Sequence, residues 1–571
     1  MHNLRWRLHK QRSEERLNTS RCAFLETCTN RQNDAYNHAH STLSLTSWDC
    51  ERDHFRQGVQ GYGLALNRTI NSMKRSISDV LIIGAGMGGS TAALTLAPTG
   101  ASILILEQGA QIKSEPLTRD TKAIFQKGAY KPKEQWYDRA GNPNAAGTYA
   151  NRGGSSKFYG GLLARFRETD FEARHLPGGD IPAWPIRYSD IEPWYERAEA
   201  LFRVCGNPSE DPTEPWRNKG LPCAPVPDEP PIAVLRERFK KAGMHPYSLP
   251  LGVDIKTWLA NGQTGWDGYP DARTGKMDGE TAALIPALKY PNVRIEDDSQ
   301  VVRLLPSPDG KRIERVVYQR DGEFHEVVAK LVLLACGTVK SAALLLACAD
   351  GKLANSSGMV GRHLMGHNQT AVIAFDHRFL NDSVYQKTFG LNDFYLPGGA
   401  GGDAMGNVQL LGRVNGEIMK GNVPSVPQFI LDMLCRRTVD FFLLGEDLPD
   451  PASRVLVQDG RVILDRTRTN MDVHQKFIAR FKDILREIGF KRAVHRTFGE
   501  FAIGHQCGTL RMGHSSADSV VDSNGRAHDL ENLFVVDGSV FVSSAAVNPS
   551  LTIAALSLRA SDNIARTELA H

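Results

Sequence analysis

Two short apolar runs stand on either side of a glycine-rich segment between residues 79 and 107. The first run, DVLIIG, ends at Gly84, and the second, ASILILE, ends at Glu107. Runs of this length bounded by glycines are typical of strands buried on both faces. Small and apolar residues at positions 90–96, followed by a Thr-Gly pair, predict a helix between them. The segment therefore predicts a strand, a glycine-rich turn, a helix and a second strand.

Alternation of apolar and polar residues predicts further elements later in the chain. Residues 293–334 alternate over two runs, and Arg320-Asp321-Gly322 predicts the turn of a β-hairpin. An amphipathic pattern over residues 191–204 predicts a helix, and we expect Ser189 to cap its N-terminus.

The first 72 residues differ in composition from the rest of the chain. They are rich in Asn, Thr, Ser, Arg and His and show no sustained periodicity, whereas a strong strand pattern begins shortly after Met73. Two interpretations follow: a disordered targeting or interaction arm, or an assigned start that lies too early. We favour Met73 as the true start, and the intact mass of the natively expressed protein would test this.

The overall composition is that of an ordinary globular protein. Of 571 residues, 41% are hydrophobic and 23% are charged, which excludes collagen-like, coiled-coil and wholly disordered chains. The formal net charge is +4, and the first 72 residues hold ten Lys or Arg against seven Asp or Glu. The remaining chain is therefore nearly neutral and offers no electrostatic footprint for nucleic acid or anionic lipid. We expect neither as a partner.

The cysteines and histidines follow no metal-binding or disulfide pattern. Nine cysteines occur without a CxxC pair. His363 and His367 stand four residues apart, as zinc ligands on a helix do, but no third ligand lies near them in sequence. Cys507 has only His505 and His514 at ligand spacing, so we interpret it as a buried cysteine. We expect no metal site.

The chain carries no targeting pattern that we recognise. Its apolar stretches are too short to cross a bilayer, and its N-terminal basic residues are not followed by the apolar stretch of a secretory signal. We therefore expect a cytoplasmic protein, with export alongside a small partner subunit as the alternative.

The glycine-rich segment predicts a dinucleotide-binding turn. Gly84, Gly86 and Gly89 follow a strand and precede a helix in the pattern GxGxxG. The first glycine allows the tight turn, the second lets backbone approach a pyrophosphate, and the third lets the helix pack on the strand, while the helix N-terminus attracts the anion. Glu107 ends the second strand, where an acid accepts the hydrogen bonds of an adenosine ribose. This pattern leaves FAD and NAD open.

Motifs after residue 79 resemble those of the glucose–methanol–choline (GMC) oxidoreductase family, closest to its bacterial sugar and polyol dehydrogenases. Glu107-Gln108-Gly109 is similar to the close of the FAD motif of flavoproteins. The other similar segments are NRGGSSKFYGG from Asn151, LLACGTVKSAALLL from Leu333, VGRHLMGH from Val360, GHQCGTLRMG from Gly504, FVVDGSVF from Phe534 and VNPSLTIAALSLRASD from Val547. Ala342 and Gly366 replace the Pro and Asp that are usual in the family.

The resemblance implies FAD as the cofactor. No His occurs in residues 151–161, where the family occasionally attaches its flavin covalently, so we expect noncovalent FAD. Beyond the turn glycines and Glu107, the implied contacts come from four places: Gly153, Gly154 and Ser155 around the pyrophosphate and flavin, the backbone of Val301 at the adenine, Asp537 and Gly538 at the ribityl or pyrophosphate oxygens, and Pro549 near the flavin carbonyl.

Alcohol oxidation needs a base as well as a hydride acceptor. The hydroxyl proton must pass to a group within hydrogen-bonding reach, and neutral imidazole suits this task near pH 7. The resemblance implies that His505 is this base and that Asn548, where the family has His or Asn, holds the substrate oxygen. The two residues are far apart in sequence, so only the fold can bring them together.

The resemblance implies an α/β fold: a discontinuous, Rossmann-like FAD-binding domain and a second, α+β substrate-binding domain. We expect the first to comprise residues 79–166, 291–365 and 501–564, and the second to comprise residues 167–290 and 366–500. The expected reaction is FAD-dependent oxidation of the CH–OH group of a small-molecule alcohol (a sugar, polyol or glycoside), with oxygen, a quinone or a cytochrome as electron acceptor. The alternatives are another flavoenzyme, such as a monooxygenase or desaturase, and a noncatalytic nucleotide-binding partner protein.

Overall fold

The computed structural model describes residues 74–262, 264–272, 275–501 and 504–570. The predictions for residues 1–72 and for Met73 as the first residue lie outside the described residues. Within the described part, no helix combines the length and the apolar character that crossing a bilayer requires.

The strands of the described residues belong to two large sheets and two small ones. In chain order they are β1 (Lys74–Ile83), β2 (Ile103–Leu106), β3 (Gln135–Asp138), β4 (Pro143–Ala145), β5 (Arg174–Leu176), β6 (Gly179–Ile181), β7 (Pro246–Ser248), β8 (Val293–Glu296), β9 (Gln300–Pro306), β10 (Ile313–Arg320), β11 (Glu323–Leu334), β12 (His367–Phe375), β13 (Phe389–Leu391), β14 (Asn407–Leu410), β15 (Thr438–Glu446), β16 (Arg454–Gln458), β17 (Arg461–Asp465), β18 (Arg492–Thr497) and β19 (Leu533–Val535).

The α-helices lie between these strands or, for the last one, after β19, with short 3₁₀ and π turns in addition. They are α1 (Met87–Leu96), α2 (Tyr188–Leu201), α3 (Pro230–Lys241), α4 (Ile255–Gly262), α5 (Ile285–Ala287), α6 (Thr338–Leu346), α7 (Gly416–Asn422), α8 (Gln428–Cys435), α9 (Met471–Glu487) and α10 (Ser550–Thr567).

The first large sheet has the strand order β8-β2-β1-β11-β10-β9, with β19 pairing to β11. Strands β8, β2, β1, β11 and β19 run parallel, and β10 and β9 are antiparallel additions. Val80, Leu81 and Ile82 at the centre are fully buried, because helices cover the parallel part of the sheet. The two strands and the helix predicted around the glycine-rich turn are therefore confirmed.

The predicted hairpin is also confirmed, since β10 and β11 pair directly across Asp321 and Gly322. Both turn residues have positive φ, 52° and 80°, as a two-residue type I′ turn requires. The predicted start of the amphipathic helix is wrong: α2 begins at Tyr188 rather than after Ser189. Its N-cap is Arg187, whose backbone N–H donates to Asp190 Oδ2 at 2.8 Å, so the carboxylate three residues on supplies the cap.

The second large sheet is antiparallel, with the order β18-β12-β15-β14-β13-β7. Helix α9 buries Phe477 and Phe481, four residues apart on one face, over this sheet. The Phe481 ring packs against Phe441 of β15 with centroids 5.1 Å apart. The chain thus combines a mostly parallel α/β sheet with an antiparallel sheet and helix, which confirms the mixed α/β class.

Candidate active site

A cavity of about 680 Å³ lies where β1 and β2 end. Its walls come from the glycine-rich turn, the loop before residue 160, strand β9, the start of α6, the segment around residue 505 and the start of α10. The carboxyl ends of parallel strands are the usual place for a ligand in an open α/β sheet. Every residue that the sequence analysis selected, except Gly89 and Gly153, borders this cavity.

The geometry of the glycine-rich turn fits a dinucleotide. Gly84 has φ +102°, and a Cβ on it would lie 2.4 Å from the carbonyl oxygen of Ala335. A Cβ on Gly89 would lie 2.0 Å from the Gly84 carbonyl oxygen, so this glycine lets α1 pack on the turn. A Cβ on Gly86, in contrast, would meet no described atom within 4 Å, because it would point into the cavity. Gly86 is also the N-cap of α1, so an anion can approach the helix N-terminus here.

A loop that begins at residue 153 covers the glycine-rich turn. The backbone N–H of Gly153 donates to the carbonyl oxygen of Ala85 at 2.8 Å. Gly153 and Gly154 both have positive φ, 82° and 55°, a region that glycine enters without a steric penalty. Ser155 borders the cavity directly after them. Gly153 therefore holds the loop, whereas Gly154 and Ser155 face the space that a cofactor would fill.

Glu107 lies at the end of β2, and its carboxylate closes the same turn. Its Oε2 accepts the backbone N–H of Ala85 at 2.8 Å, and its Oε1 accepts that of Gly109 at 3.0 Å. Burial raises the pKa of Glu107 to about 7. Each oxygen keeps a lone pair that a ribose hydroxyl could use.

Asp537 and Gly538 follow β19 and also border the cavity. The Asp537 carboxylate accepts the backbone N–H groups of Gly337 and Ser539, both at 2.9 Å, and the hydroxyl of Ser341 at 2.5 Å. Burial still raises the pKa of Asp537. The carboxylate thus joins the start of α6 to the segment after β19.

Val301 on β9 and Pro549 before α10 both line the site. Val301 borders the cavity together with its neighbours in the strand. Pro549 is the N-cap of α10, so the N-terminus of this second long helix also meets the cavity. With α1 and α6, three helix N-termini meet this cavity, which favours an anionic ligand such as a pyrophosphate.

His505 and Asn548 are in contact at the cavity wall. The Nδ2 atom of Asn548 lies 3.0 Å from Nε2 of His505, and both residues border the cavity. His505 has φ 59°, in the left-handed region that non-glycine residues rarely adopt. Such a conformation costs of order 1–3 kcal/mol, so the surrounding structure must hold His505 in place.

His367 lies directly behind His505. Met365 and Cys507 exchange both backbone hydrogen bonds, at 2.9 and 3.0 Å, in an antiparallel bridge. Because the segments are antiparallel, this register sets His367, two residues after Met365, opposite His505, two residues before Cys507. Their Nδ1 atoms lie 2.8 Å apart, and the two rings cross at 78°.

Gln409 of β14 contacts the other member of the pair. Its Nε2 donates to Oδ1 of Asn548 at 2.6 Å, and its side chain is fully buried. A continuous row of side chains therefore runs from His367 through His505 and Asn548 to Gln409. The two outer members come from the antiparallel sheet, and the two inner ones come from the C-terminal segment.

The surroundings keep both histidines neutral. Burial, aided by the neighbouring His367 and Lys387, holds the pKa of His505 well below its usual value. Burial likewise lowers the pKa of His367 to about 4. The Lys387 ammonium lies 3.0 Å from Asp267 Oδ2, so the nearest cation is itself paired. A neutral imidazole can accept a proton at physiological pH.

The sequence analysis missed His367 and Gln409 as parts of the site. His367 appeared there only as half of a zinc-type pair, and its partner in that pair, His363, is buried with its Nδ1 lacking a hydrogen-bond partner among the described residues. Among the described residues, no group of three or more His, Cys, Asp or Glu could hold a metal ion. Cys507 is buried, and burial raises the pKa of its thiol well above the usual value.

Three family models match the chain. Two of them, both described as GMC oxidoreductase, match residues 186–369 and 461–557, and a third, described as FAD binding domain, matches residues 79–118. The last match coincides with the glycine-rich turn and Glu107. The residues around this turn therefore fit FAD by geometry and by sequence.

Curated relatives match over most of their length. The chain is 29% identical to 6‴-hydroxyparomomycin C oxidase of Streptomyces lividus, covering 85% of this chain and 91% of the relative. It is 28% identical to 2-methyl-1,2-propanediol dehydrogenase of Mycolicibacterium austroafricanum, covering 86% and 95%. The structure of pyridoxine 4-oxidase from Mesorbium loti matches with a TM-score of 0.60 at 18% identity, covering 86% of this chain and 100% of the other, a likeness of fold alone.

Proposed function

Because the chain belongs to the GMC oxidoreductase family, as an FAD-dependent enzyme acting on alcohol- or sugar-type CH–OH groups, we propose that His505 is the base of its reaction. The observation that carries this proposal is the 3.0 Å contact between His505 Nε2 and Asn548 Nδ2 on the cavity wall. Bound FAD would supply the hydride acceptor, N5 of its flavin ring. The hydroxyl proton of the substrate passes to Nε2 of His505, and the alcohol leaves as a carbonyl compound.

Asn548 holds the substrate oxygen in this proposal. Its amide N–H group donates to Nε2 of His505 in the ligand-free site, and a substrate hydroxyl would take over that acceptor. The displaced amide then donates to the substrate oxygen, where it stabilises alkoxide character as the proton leaves. The low pKa of His505, a consequence of burial, keeps Nε2 unprotonated before substrate binds.

The residues around the glycine-rich turn would hold FAD. Gly86 leaves space for the pyrophosphate at the N-terminus of α1, and Glu107 offers carboxylate oxygens to the adenosine ribose. Gly154, Val301 and Gly538 border the remaining length of the cavity. We propose noncovalent FAD, in the discontinuous domain expected from the sequence.

The substrate class follows from the relatives by analogy. One relative is named for oxidation of 6‴-hydroxyparomomycin C and the other for dehydrogenation of 2-methyl-1,2-propanediol, and we propose a sugar, polyol or glycoside. Anaerobic mixing of the oxidised holoenzyme with a panel of such alcohols and choline tests this at the flavin absorption band. A noncatalytic FAD-binding protein would never bleach, and bleaching by NADPH alone would favour a monooxygenase.

Replacing His505 by Ala tests the base. The variant should keep bound FAD but lower the rate of flavin reduction by the best alcohol about 10²-fold or more. His514→Ala is the matched control, because this histidine is exposed nine residues further along the same segment, and it should reduce at the wild-type rate. Unchanged reduction in His505→Ala would reject the proposed role.

A further inference from the structure

The hydrogen bonds of His367 determine which nitrogen of His505 carries the proton. His367 Nε2 lies 3.2 Å from the carbonyl oxygen of Ser544 and 3.1 Å from that of Ala545. Carbonyl oxygens only accept, so this Nε2 carries the hydrogen, and Nδ1 of a neutral His367 is a bare acceptor. The hydrogen in the 2.8 Å Nδ1–Nδ1 contact must therefore belong to His505. A neutral His505 with its proton on Nδ1 has a free lone pair on Nε2.

The contact between Gln409 and Asn548 agrees with the same tautomer. Asn548 Oδ1 accepts from Gln409 Nε2 at 2.6 Å, so the Asn548 amide nitrogen is the end that faces His505. An amide nitrogen only donates, so Nε2 of His505 must be the acceptor. With Gln409 as the donor, the Asn548 amide nitrogen is the end that reaches the base.

The protein encloses this row of hydrogen bonds. His367 is 5% exposed and Gln409 is fully buried, so water cannot replace either partner without rearrangement. The charged groups that face the two histidines are Lys387, Asp447 and Arg466. Asp447 and Arg466 pair with each other at 2.6 Å and leave His367 neutral.

We propose that His367 and Gln409 are positioning residues that hold His505 as the Nδ1–H tautomer. Its Nε2 is then free to take the substrate proton, so this inference rests on the proposed function. Neither residue touches substrate in this role. His367 accepts the Nδ1 hydrogen, and Gln409 turns the Asn548 amide so that it cannot accept a hydrogen from Nε2. His367 acts on the base through its own hydrogen bond, and Gln409 acts through Asn548.

Two substitutions of His367 separate its two hydrogen bonds. In His367→Asn, the amide oxygen takes the position of Nδ1 and keeps an acceptor for His505, while the donor to Ser544 and Ala545 is lost. In His367→Gln, the amide nitrogen takes the position of Nε2 and keeps that donor, while the acceptor for His505 is lost. Both variants bury an amide group in a side chain of similar size, so each serves as the control for the other.

We expect the two variants to differ in flavin reduction rather than in folding. His367→Asn should keep the limiting rate of anaerobic flavin reduction within about tenfold of wild type, whereas His367→Gln should lose about 10²-fold or more, the usual contribution of a well-placed base. KM should change little in either variant, because neither group contacts substrate. Equal rates in the two variants, or rates that follow their melting temperatures, would overturn the role of His367.

Gln409→Glu tests the other side with an isosteric change. Measured at a pH high enough to ionise the introduced group, the carboxylate only accepts, so Asn548 must turn its nitrogen toward position 409 and its oxygen toward Nε2 of His505. This favours the Nε2–H tautomer of His505. The rate of flavin reduction should therefore fall more than in Gln409→Met, which only removes the hydrogen bond to the Asn548 amide. A Gln409→Glu variant that reduces as fast as wild type, or as Gln409→Met, would overturn the role of Gln409.

A spectroscopic measurement on the wild-type holoenzyme needs no folded variant of the positioning residues. The ¹⁵N spectrum of histidine-labelled protein, with the His505→Asn spectrum subtracted, should show the Nδ1–H tautomer for His505. The Nε2–H tautomer would overturn the proposal even if every substitution proved unstable. If the flavin of His505→Ala is reduced at the wild-type rate, the proposed function itself fails. If His505→Ala is slow but the variants at positions 367 and 409 are reduced at the wild-type rate, only this inference fails.

Discussion

Gly86 and Gly154 face each other across the mouth of the glycine-rich turn. A Cβ atom on Gly154 would lie 3.2 Å from the Gly86 Cα, whereas a Cβ on Gly86 would meet no described atom within 4 Å. The space beside Gly86 is therefore part of the cavity rather than of the packed core. A dinucleotide would occupy that space, because backbone can approach a pyrophosphate closely only where no side chain intervenes.

Gly86→Ala should impair FAD binding and leave the fold intact. The added methyl group enters empty space in the ligand-free protein, so the melting temperature of the apoprotein should change little. We expect the dissociation constant for FAD to rise about tenfold or more, equivalent to about 1.4 kcal/mol. Gly220→Ala is the control, since a Cβ there also meets no described atom within 4 Å but lies outside the cavity. Full FAD occupancy in Gly86→Ala would contradict this assignment.

The sequence predicts the cofactor half of the site well because its signals are local. The glycines, the flanking apolar runs and Glu107 lie within one strand–helix–strand unit, where spacing alone fixes their relative positions. The hairpin at Asp321 is equally local. The wrong start of α2 shows the limit of such patterns, since both Ser189 and Asp190 can cap a helix, and the structure uses the carboxylate.

The half of the site that surrounds the base depends on long-range pairing. His367 meets His505 only because the Met365–Cys507 bridge sets the register of two segments that are more than a hundred residues apart. Gln409 lies in a region whose sequence carries few clear signals. Residue type alone did not distinguish His367 and Gln409 from the other polar residues of these segments.

The low pKa of His505 predicts a flat pH profile through the range where histidine usually titrates. A histidine with the usual pKa, about 6.5, would lose its base form progressively as the pH falls through that value. Here burial, with His367 and Lys387 nearby, lowers the pKa, so the neutral form persists at lower pH. The rate of anaerobic flavin reduction at saturating alcohol should stay constant from about pH 8 to about pH 6. A decline centred near pH 6.5 would contradict the prediction.

Lys387 and Asp267 provide opposite tests of that electrostatic effect. Lys387→Met removes a positive charge near His505, so the pKa should rise and the acid limb of the profile should move to higher pH. Asp267→Asn leaves the ammonium uncompensated and should move the limb to lower pH. Each variant leaves one member of a 3.0 Å ion pair without its partner. Losing one partner of a buried pair commonly costs about 3–5 kcal/mol of stability, and the cost here should be smaller because the Asp267 side chain is 18% exposed. Shifts in the same direction would point to general damage.

His474 predicts a loss of stability in acid that is independent of catalysis. This histidine on α9 is 1% exposed, and its Nε2 contacts the Thr370 hydroxyl at 2.8 Å. Burial lowers its pKa to about 4, whereas in the unfolded chain it titrates near the usual value of about 6.5. Between these two values the unfolded state binds the extra proton, so stability is complete above about pH 6.5 and declines as the pH falls toward 4.

The expected slope is about 1.4 kcal/mol per pH unit for this one group. His474→Leu removes the titrating ring, and the Thr370 hydroxyl keeps its 2.9 Å contact with the Thr497 hydroxyl. The variant should therefore be less stable than wild type at pH 7 but should lose less stability between pH 6.5 and 4. Urea unfolding at a series of pH values measures both quantities. Parallel curves for the two proteins would mean that His474 is not buried in its neutral form, because a group with the same pKa in both states contributes no slope.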